Sequence, residues 1–268
     1  MHDPLTCQYD APFSPFSAAN LNSGSAWLKE SEFDAAELCI ADYQGIDIAR
    51  IAEALASHGL GCTTIASGQA RKREGLSLLA QDPEILRRTR QRLFEHIDAA
   101  AVLGSHVTIG SLLVADTALS ATRYCQLLAQ GLAPCLDYAH ARGVTLIVEA
   151  LNRYEAEHLN SAEDMMQFLD LIGSPPQVGI LWDVFHGDIE DRDFAQAIAL
   201  MVSRLRHVHF VDSKRAFPSY GHLPFDDIYR QLWQSHYQGA ISLECLCRPS
   251  TQTVIDESGP FIQRLRQL

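Results

Sequence analysis

Short apolar runs alternate along this chain with longer segments in which apolar residues recur at the spacing of one helix face. Such alternation is typical of a parallel sheet whose strands are joined by helices. From residue 36 onward seven runs are predicted to be strands: AAELCIA ending near Ala41, CTTIAS ending near Ser67, HVTIG ending at Gly110, VTLIVE ending at Glu149, VGILWD ending at Asp183, RHVHF around His209 and AISLE ending at Glu244. An eighth strand is predicted between Pro4 and Tyr9.

Eight strand–helix units complete a (β/α)8 barrel, and a chain of 268 residues with 47% hydrophobic content can bury its core. We therefore predict an α/β fold, a single (β/α)8 TIM barrel, in one domain that covers residues 1–268. Residues 10–35 are rich in Ser, Ala and Asn and fit the β/α register poorly. This segment is predicted to form a long first loop near the barrel mouth.

Two of the predicted helices have recognisable ends. The D-P-E sequence at residues 82–84 supplies an N-cap, a proline at the first helical position and a first-turn carboxylate to a helix predicted to run to Gly104. Ser161 and Asp164 form a variant of the capping box before a second helix, which Gly173 is predicted to end.

Four candidate ligands follow four consecutive predicted strands. Glu149, Asp183, His209 and Glu244 each stand where an apolar run stops, about 30 residues apart, which is the length of one βαβ unit. Because the carboxyl ends of all barrel strands meet at one mouth, these side chains are expected to converge there. Three carboxylates and one imidazole make a three-oxygen, one-nitrogen ligand set for a divalent cation.

Each candidate also has a simpler interpretation. A glutamate such as Glu149 is by default a solvated surface residue, and Asp183 can act as the N-cap of a short turn. His207 and His209 share one strand face by the period of two; we choose His209 as the ligand because it lies nearer the strand end, and interpret His207 as a hydrogen-bonded core residue. The recurrence over four strands favours the metal site.

A second group of polar residues follows the same strands. Glu155 and His186 lie shortly beyond Glu149 and Asp183, and Arg215 follows the strand of His209. These residues are candidates for holding a hydroxyl-rich or anionic substrate, whereas Lys214 is equally consistent with a solvated loop.

Charge and cysteine usage narrow the possible partners. A net charge of −12 and a pI near 5.3 argue against nucleic acid, because a phosphate backbone requires a positive footprint. The seven cysteines form no CxxC pair and are expected to be reduced thiols. No run reaches the length of a membrane span, so we expect a soluble, cytoplasmic protein. No GxGxxG, P-loop, GxSxG or HExxH motif occurs.

Taken together, these segments resemble the xylose isomerase-like TIM-barrel superfamily, in particular its sugar-phosphate isomerase/epimerase group, which includes D-tagatose and D-psicose 3-epimerases, hydroxypyruvate isomerase and inosose dehydratase. The second half of the chain matches in register and the first half only in its β/α rhythm. The family's E-x-x-N-R-x-E, D-x-x-H, H-x-x-x-x-x-R and final-strand glutamate motifs fall on Glu149 to Glu155, Asp183 to His186, His209 to Arg215, and Glu244.

The resemblance implies one bound divalent cation. Its ligands would be Glu149, Asp183, His209 and Glu244; Mn²⁺ is the expected ion, with Mg²⁺, Co²⁺ and Zn²⁺ as alternatives. The resemblance further implies that Glu155, His186 and Arg215 bind the substrate. The chain departs from the family at Tyr220, which stands in a loop that many relatives fill with glycine, so we expect a different shape of the substrate rim.

The function expected from these residues is an isomerase or epimerase that acts on a ketose or related hydroxy-carbonyl compound. A divalent ion on the carbonyl and adjacent hydroxyl would favour proton removal to an enediolate. Glu149 and Glu244, approaching from opposite strands, would then be base and acid on the two faces. The substrate is expected to be unphosphorylated, because neither late loop is glycine-rich, and a homodimer or homotetramer is expected from the relatives.

Three other functions remain open at this point. The same enediolate can expel a β-hydroxyl, as in a dehydratase of an inosose- or dehydroshikimate-like compound. An apurinic-site endonuclease shares the barrel but uses three metals, with histidines after early strands, whereas strands three and four here end in S-G-Q at residues 67–69 and G-S at residues 110–111. A barrel that binds a sugar without converting it would not need two proton-transfer carboxylates.

Overall fold

The computed structural model describes residues 5–9 and 18–268, with side chains from residue 21 onward. Eight parallel strands within these residues pair in sequence order into a closed barrel, because the last strand also pairs with the first. They are β1 (Leu5–Tyr9), β2 (Ala35–Cys39), β3 (Gly61–Ala66), β4 (His106–Ile109), β5 (Leu146–Glu149), β6 (Val178–Asp183), β7 (Leu205–Phe210) and β8 (Ala240–Leu243). The predicted TIM barrel is confirmed.

Helices follow the strands and pack around them. Those in the described part of the chain are α1 (Ala18–Glu30), α2 (Ile48–Ser57), α3 (Gly68–Glu74), α4 (Pro83–Leu103), α5 (Ala121–Ala141), α6 (Ala162–Leu171), α7 (Val184–Glu190), α8 (Phe194–Met201), α9 (Phe225–Gln234) and α10 (Thr251–Arg266). A short 3₁₀ turn follows β4 at Ser111–Leu113, and a turn that contains left-handed residues follows β7 at Ser213–Arg215. No helix in the described ranges is both long and apolar enough to cross a membrane.

Both helix ends identified in the sequence are present. The Asp82 carboxylate accepts a hydrogen bond from the backbone N–H of Glu84 at the start of α4, which Gly104 ends in the left-handed conformation (φ 64°). At α6 the Ser161 hydroxyl accepts from the backbone N–H of Asp164, and the Asp164 carboxylate accepts from that of Ser161. Each such cap stabilises its helix by about 1 kcal/mol.

The prediction of a long first loop over residues 10–35 is wrong for half of that range, because α1 occupies Ala18–Glu30. Asn and Ser have low intrinsic helix propensity, but Leu21 and Leu28 lie on one helix face and are 3% and 0% exposed. Packing of that face against the barrel outweighs the propensity. Residues 10–17 lie outside the described part of the chain, as does Pro4, whereas the rest of the predicted first strand is β1.

The inside of the barrel is polar where many barrels hold only branched apolar side chains. Glu37 of β2, His207 of β7 and Ser242 of β8 meet there by hydrogen bonds, and the hydroxyls of Thr64 and Thr108 lie 2.8 Å apart. The apolar core lies between the strands and the surrounding helices. A polar centre of this kind requires partners for every buried group, and it lies directly beneath the barrel mouth.

Candidate active site

The structure brings the four candidate ligands together at the mouth. One donor atom from each of Glu149, Asp183, His209 and Glu244 lies within 4.8 Å of the others. His209 Nδ1 is at the centre, 3.7 Å from Glu149 Oε1, 3.7 Å from Asp183 Oδ2 and 3.1 Å from Glu244 Oε2. The ends of β5 to β8 therefore form one cluster, as their parallel arrangement predicts.

Two atoms of this cluster are buried without a hydrogen bond of normal geometry, namely Asp183 Oδ2 and His209 Nδ1. Both residues are almost completely buried, at 0% and 1% exposure. The other Asp183 oxygen accepts from the backbone N–H groups of Phe185 and His186, so Asp183 also caps α7, as the simpler interpretation had it. A buried carboxylate oxygen without a partner is costly, and the donor set fits a divalent cation.

The acid–base properties of the cluster reflect its crowded negative charge. Burial and the neighbouring Glu244 carboxylate raise the pKa of Glu149 well above its ordinary value. Burial alone would lower the pKa of His209, but the carboxylates of Glu244 and Glu37 raise it well above its ordinary value. Burial opposes ionisation of Asp183 too, yet His186 and Arg215 hold its pKa low. The raised pKa values of Glu149 and His209 mean that bound protons offset the negative charge of the cluster. A bound divalent cation would offset the same charge in place of these protons.

The second predicted group lies beside this cluster. Arg215 Nη2 is 3.2 Å from Glu155 Oε1 and 2.9 Å from His186 Nε2, and Arg215 Nη1 is 3.4 Å from Glu244 Oε2. His186 is held in turn by Asn152, whose backbone N–H and side-chain amide lie 3.2 and 2.7 Å from His186 Nδ1. Glu155, His186 and Arg215 are thus adjacent, with the guanidinium reaching over the carboxylate cluster.

The loop after β7 presents Arg215 through an unusual backbone. Lys214 and Arg215 are consecutive residues in the left-handed conformation, with φ of 64° and 54°. Asp212, fully buried, anchors this loop by accepting from the backbone N–H groups of four residues: Ser213, Ser219, Gly221 and Leu223. Tyr220 lies in the same loop, and its hydroxyl donates to Glu257 of α10. Its ring is not among the described residues that line the cavity.

A cavity of about 500 Å³ opens above the cluster. We call two groups of residues at this mouth the charged wall (Glu149, Asp183, His209, Glu244 and Arg215) and the neutral wall (Ser67, Gly68, Gln69, Thr108, Gly110 and Ser111). Two cationic residues of α3, Arg71 and Lys72, also line the cavity next to the neutral wall. The two walls touch at Gly110, where an added Cβ would lie 2.1 Å from Glu149 Oε2. Cavity size and hydroxyl-rich lining suit a small polar molecule.

Sequence reasoning missed Glu37, which lies beneath the charged wall and is 0% exposed. The predicted core histidine, His207, is indeed hydrogen-bonded: its Nε2 lies 3.0 Å from Glu37 Oε2 and 2.9 Å from Ser242 Oγ. Burial would raise the pKa of Glu37, but His209 and His207 hold it well below its ordinary value. The sequence did contain an indication of this residue, because Glu37 is a charged residue inside the apolar run AAELC of a predicted strand. The neutral wall was also missed.

Comparisons with known proteins agree with this geometry. A family model described as xylose isomerase-like TIM barrel matches residues 25–265. The ketose 3-epimerase of Arthrobacter globiformis is 26% identical over 232 residues, which cover 85% of this chain and 78% of the relative.

Two solved structures have the same fold, each with a TM-score of 0.85. The first is the apo form of a 3-keto-D-glucoside 4-epimerase from E. coli, 22% identical over all of both chains. The second is a D-allulose 3-epimerase from Methylomonas sp. in complex with D-allulose, 20% identical over 99% of this chain and 96% of that one. At these identities the structures establish the fold.

Proposed function

Because the chain belongs to the xylose isomerase-like TIM-barrel family, we propose that it is a divalent-metal-dependent sugar epimerase acting through an enediolate on a ketose or related hydroxy-carbonyl compound. The observation that carries this proposal is the pair of glutamates, Glu149 and Glu244, beside two buried donor atoms that lack hydrogen bonds of normal geometry. The matched relatives named as ketose 3-epimerase and 3-keto-D-glucoside 4-epimerase support the reaction class.

We propose Glu149, Asp183, His209 and Glu244 as the ligands of one cation, with Mn²⁺ as the expected ion and Mg²⁺, Co²⁺ and Zn²⁺ as alternatives. Oxygen-rich donor sets with one imidazole suit these ions. When bound, the ion would polarise the carbonyl and acidify the adjacent C–H bond. The second ligand-like group among the described residues, Glu37, His207 and His209, shares His209 with this cluster. Separate sites for three ions are therefore not found in the described part of the chain, which argues against the three-metal apurinic-site endonuclease.

In the proposed reaction the two glutamates exchange a proton with the same substrate carbon from opposite faces. One carboxylate takes the proton, leaving the electron pair delocalised onto the neighbouring carbonyl oxygen, and the other carboxyl group returns a proton on the other face. The stereocentre is inverted and no atom is gained or lost.

The proposed substrate contacts are Arg215, His186 and Glu155. The guanidinium lies 3.4 Å from Glu244, so it can donate to a substrate oxygen held beside that carboxylate. Glu155 and His186 present acceptor and donor groups beside it, which suits a run of sugar hydroxyls. The neutral wall offers further hydroxyls and backbone groups to an uncharged ketose.

We propose a cytoplasmic enzyme whose partner is a small sugar, with neither nucleic acid nor a membrane as ligand, and a homodimer or homotetramer as its assembly. The six cysteines with described side chains are free thiols, which suits a reducing compartment. The net charge of −12 disfavours binding to phosphate backbones.

The experiment that tests the proposed function is hydrogen–deuterium exchange followed by NMR. The Mn²⁺-loaded protein is incubated in D₂O with a panel of ketoses, and the manganese is removed before spectra are recorded. Deuterium at a carbon that bears hydroxyl, lost on chelation and in Glu244→Gln, is expected, and the labelled carbon distinguishes 3- from 4-epimerisation. Glu53→Gln, an exposed α2 residue, is the matched control. Elimination of water without epimer would replace the epimerase by the dehydratase, and no exchange with any ketose would refute the proposal.

A further inference from the structure

Glu37 is a fully buried carboxylate in the barrel interior. Its Oε2 accepts from Ser242 Oγ at 2.6 Å and lies 3.0 Å from His207 Nε2 and 3.2 Å from His209 Nε2. These partners come from β7 and β8, whereas Glu37 comes from β2, so the carboxylate links both sides of the barrel beneath the charged wall.

The contact with His209 decides which of its ring nitrogens faces the mouth. A neutral imidazole has one N–H and one lone pair. In the neutral ring, which is the form that binds a metal, the Nε2–H is directed at Glu37 and the lone pair is on Nδ1. This atom faces the oxygens of the surrounding carboxylates and has no hydrogen bond of normal geometry. A ring in this state is prepared to coordinate a cation through Nδ1.

His207 and Ser242 hold the Glu37 carboxylate in place. The two imidazole rings meet edge to face, at 89° and 5.1 Å between centroids, so both can direct Nε2 at the same oxygen. Ser242 Oγ lies 2.9 Å from His207 Nε2 and donates to Glu37. Because each of these residues is buried, the carboxylate has a fixed position from which to orient His209.

We propose that Glu37 is a positioning residue that fixes the His209 imidazole for metal coordination through Nδ1. The inference rests on the proposed function, because it presumes that the charged wall binds a divalent cation. Carboxylates that accept the second N–H of a metal-bound histidine orient the ring and raise its basicity, and their loss typically weakens metal binding 10- to 100-fold.

An alternative use of the same residues is a second metal site, since Glu37, His207 and His209 also bring one donor atom each within 4.8 Å of one another. In the structure both Nε2 atoms already direct hydrogen bonds at the carboxylate. A metal there would compete with the charged wall for His209. The proposal therefore requires one bound ion per chain.

The test is a calorimetric titration of the metal-free full chain with Mn²⁺. We expect one ion per chain in the unaltered protein and a Kd raised about 10- to 100-fold in Glu37→Gln. Glu53→Gln, the same substitution at an exposed residue of α2, is the matched control; its Kd is expected to change less than about threefold. A second bound ion, or an unchanged Kd in folded Glu37→Gln, would overturn the proposal.

A second readout separates positioning from a purely structural role. Excess Mn²⁺ is expected to restore ketose exchange by Glu37→Gln to near the unaltered rate, but not exchange by His209→Gln, which lacks the ligand itself. In the Zn²⁺-loaded protein, long-range ¹H–¹⁵N spectra are expected to show that His209 Nε2 is protonated and that Nδ1 is unprotonated and bound to zinc. Metal binding without ketose exchange would refute the proposed function and leave Glu37 in its role, whereas no Mn²⁺ binding by the unaltered protein would refute both.

Discussion

The two walls of the barrel mouth differ in charge and in the size of their side chains. The charged wall places three carboxylates and an imidazole within 4.8 Å of one another, an arrangement that is costly unless a cation or proton compensates it. The neutral wall, at the ends of β3 and β4, offers small side chains and backbone. We propose from this contrast that the charged wall carries out the reaction and that the neutral wall limits how closely a substrate can approach it.

The largest expected effect tests whether reactivity belongs to the charged wall alone. Glu149→Gln and Glu244→Gln each remove a carboxylate while preserving shape, and each is expected to lower kcat for ketose epimerisation by about 100- to 10,000-fold. The measurement is steady-state epimerisation at saturating Mn²⁺, with Ser111→Ala on the neutral wall as the matched variant. If Ser111→Ala lost as much activity as the glutamate variants, the division between the walls would be wrong.

The next largest loss of activity is expected for a substitution at Gly110, where the two walls are in contact. In Gly110→Ala the new Cβ would lie 2.1 Å from Glu149 Oε2, so the carboxylate must move. A displacement of about 1 Å at a reacting group can cost about 100-fold, and we expect a loss of this size in kcat/KM.

The matched control for Gly110→Ala is Gly68→Ala on the same wall. Its Cβ would meet only the Ser111 hydroxyl, at 3.3 Å, so activity is expected within about threefold of the unaltered protein. Equal losses in both glycine variants would show that the neutral wall contacts substrate directly at both positions and does not act through Glu149.

The residues of the charged wall were easier to predict from the sequence than those of the neutral wall. A carboxylate at the end of an apolar strand is unusual, so Glu149, Asp183 and Glu244 could be identified from periodicity alone. Serine and glycine occur in every loop, and the importance of Gly110 depends on a contact with another strand. Glu37 was hidden because its partners lie 170 to 205 residues away in sequence. The strands and helices could be predicted from the local pattern of apolar residues. The contacts of Gly110 and Glu37 could not, because they form only when the barrel closes and brings distant strands together.

Behind the neutral wall a buried histidine predicts acid sensitivity of the fold. His96 of α4 is fully buried, and its Nδ1 lies 2.6 Å from the Tyr43 hydroxyl. Burial, reinforced by Arg92, lowers the pKa of His96 to about 3. The unfolded chain, with a histidine pKa of about 6.5, therefore binds a proton first as pH falls, so stability decreases below about pH 6.5 and is unaffected above it.

Between pH 7 and pH 5 this histidine is expected to remove about 2 kcal/mol of unfolding free energy. The check is urea unfolding at both pH values, in which His96→Gln should lose less stability on acidification than the unaltered protein. Tyr43→Phe keeps the titrating ring and should retain the full difference. An identical pH dependence in His96→Gln would contradict the assignment.

The smallest expected effect concerns the loop that carries Arg215 over the charged wall. Asp212 accepts four backbone hydrogen bonds there, and the left-handed Lys214 and Arg215 are held against a backbone preference of about 1 to 3 kcal/mol each. Asp212→Asn replaces one accepting oxygen by an amide that cannot accept. The loop should loosen, and because Arg215 is proposed to bind substrate without transferring protons, KM is expected to rise about fivefold to tenfold with kcat changed less.

The control for this variant is Asp193→Asn, which alters an exposed helix cap whose replacement by asparagine preserves capping; KM should not change. Steady-state kinetics and thermal unfolding of both variants separate the two possible roles of Asp212. A lower melting temperature with unchanged KM would restrict Asp212 to stability and would mean that Arg215 reaches the mouth without the loop. A fall in kcat as large as that of Glu244→Gln would instead place Arg215 in proton transfer, because it contacts Glu244 at 3.4 Å.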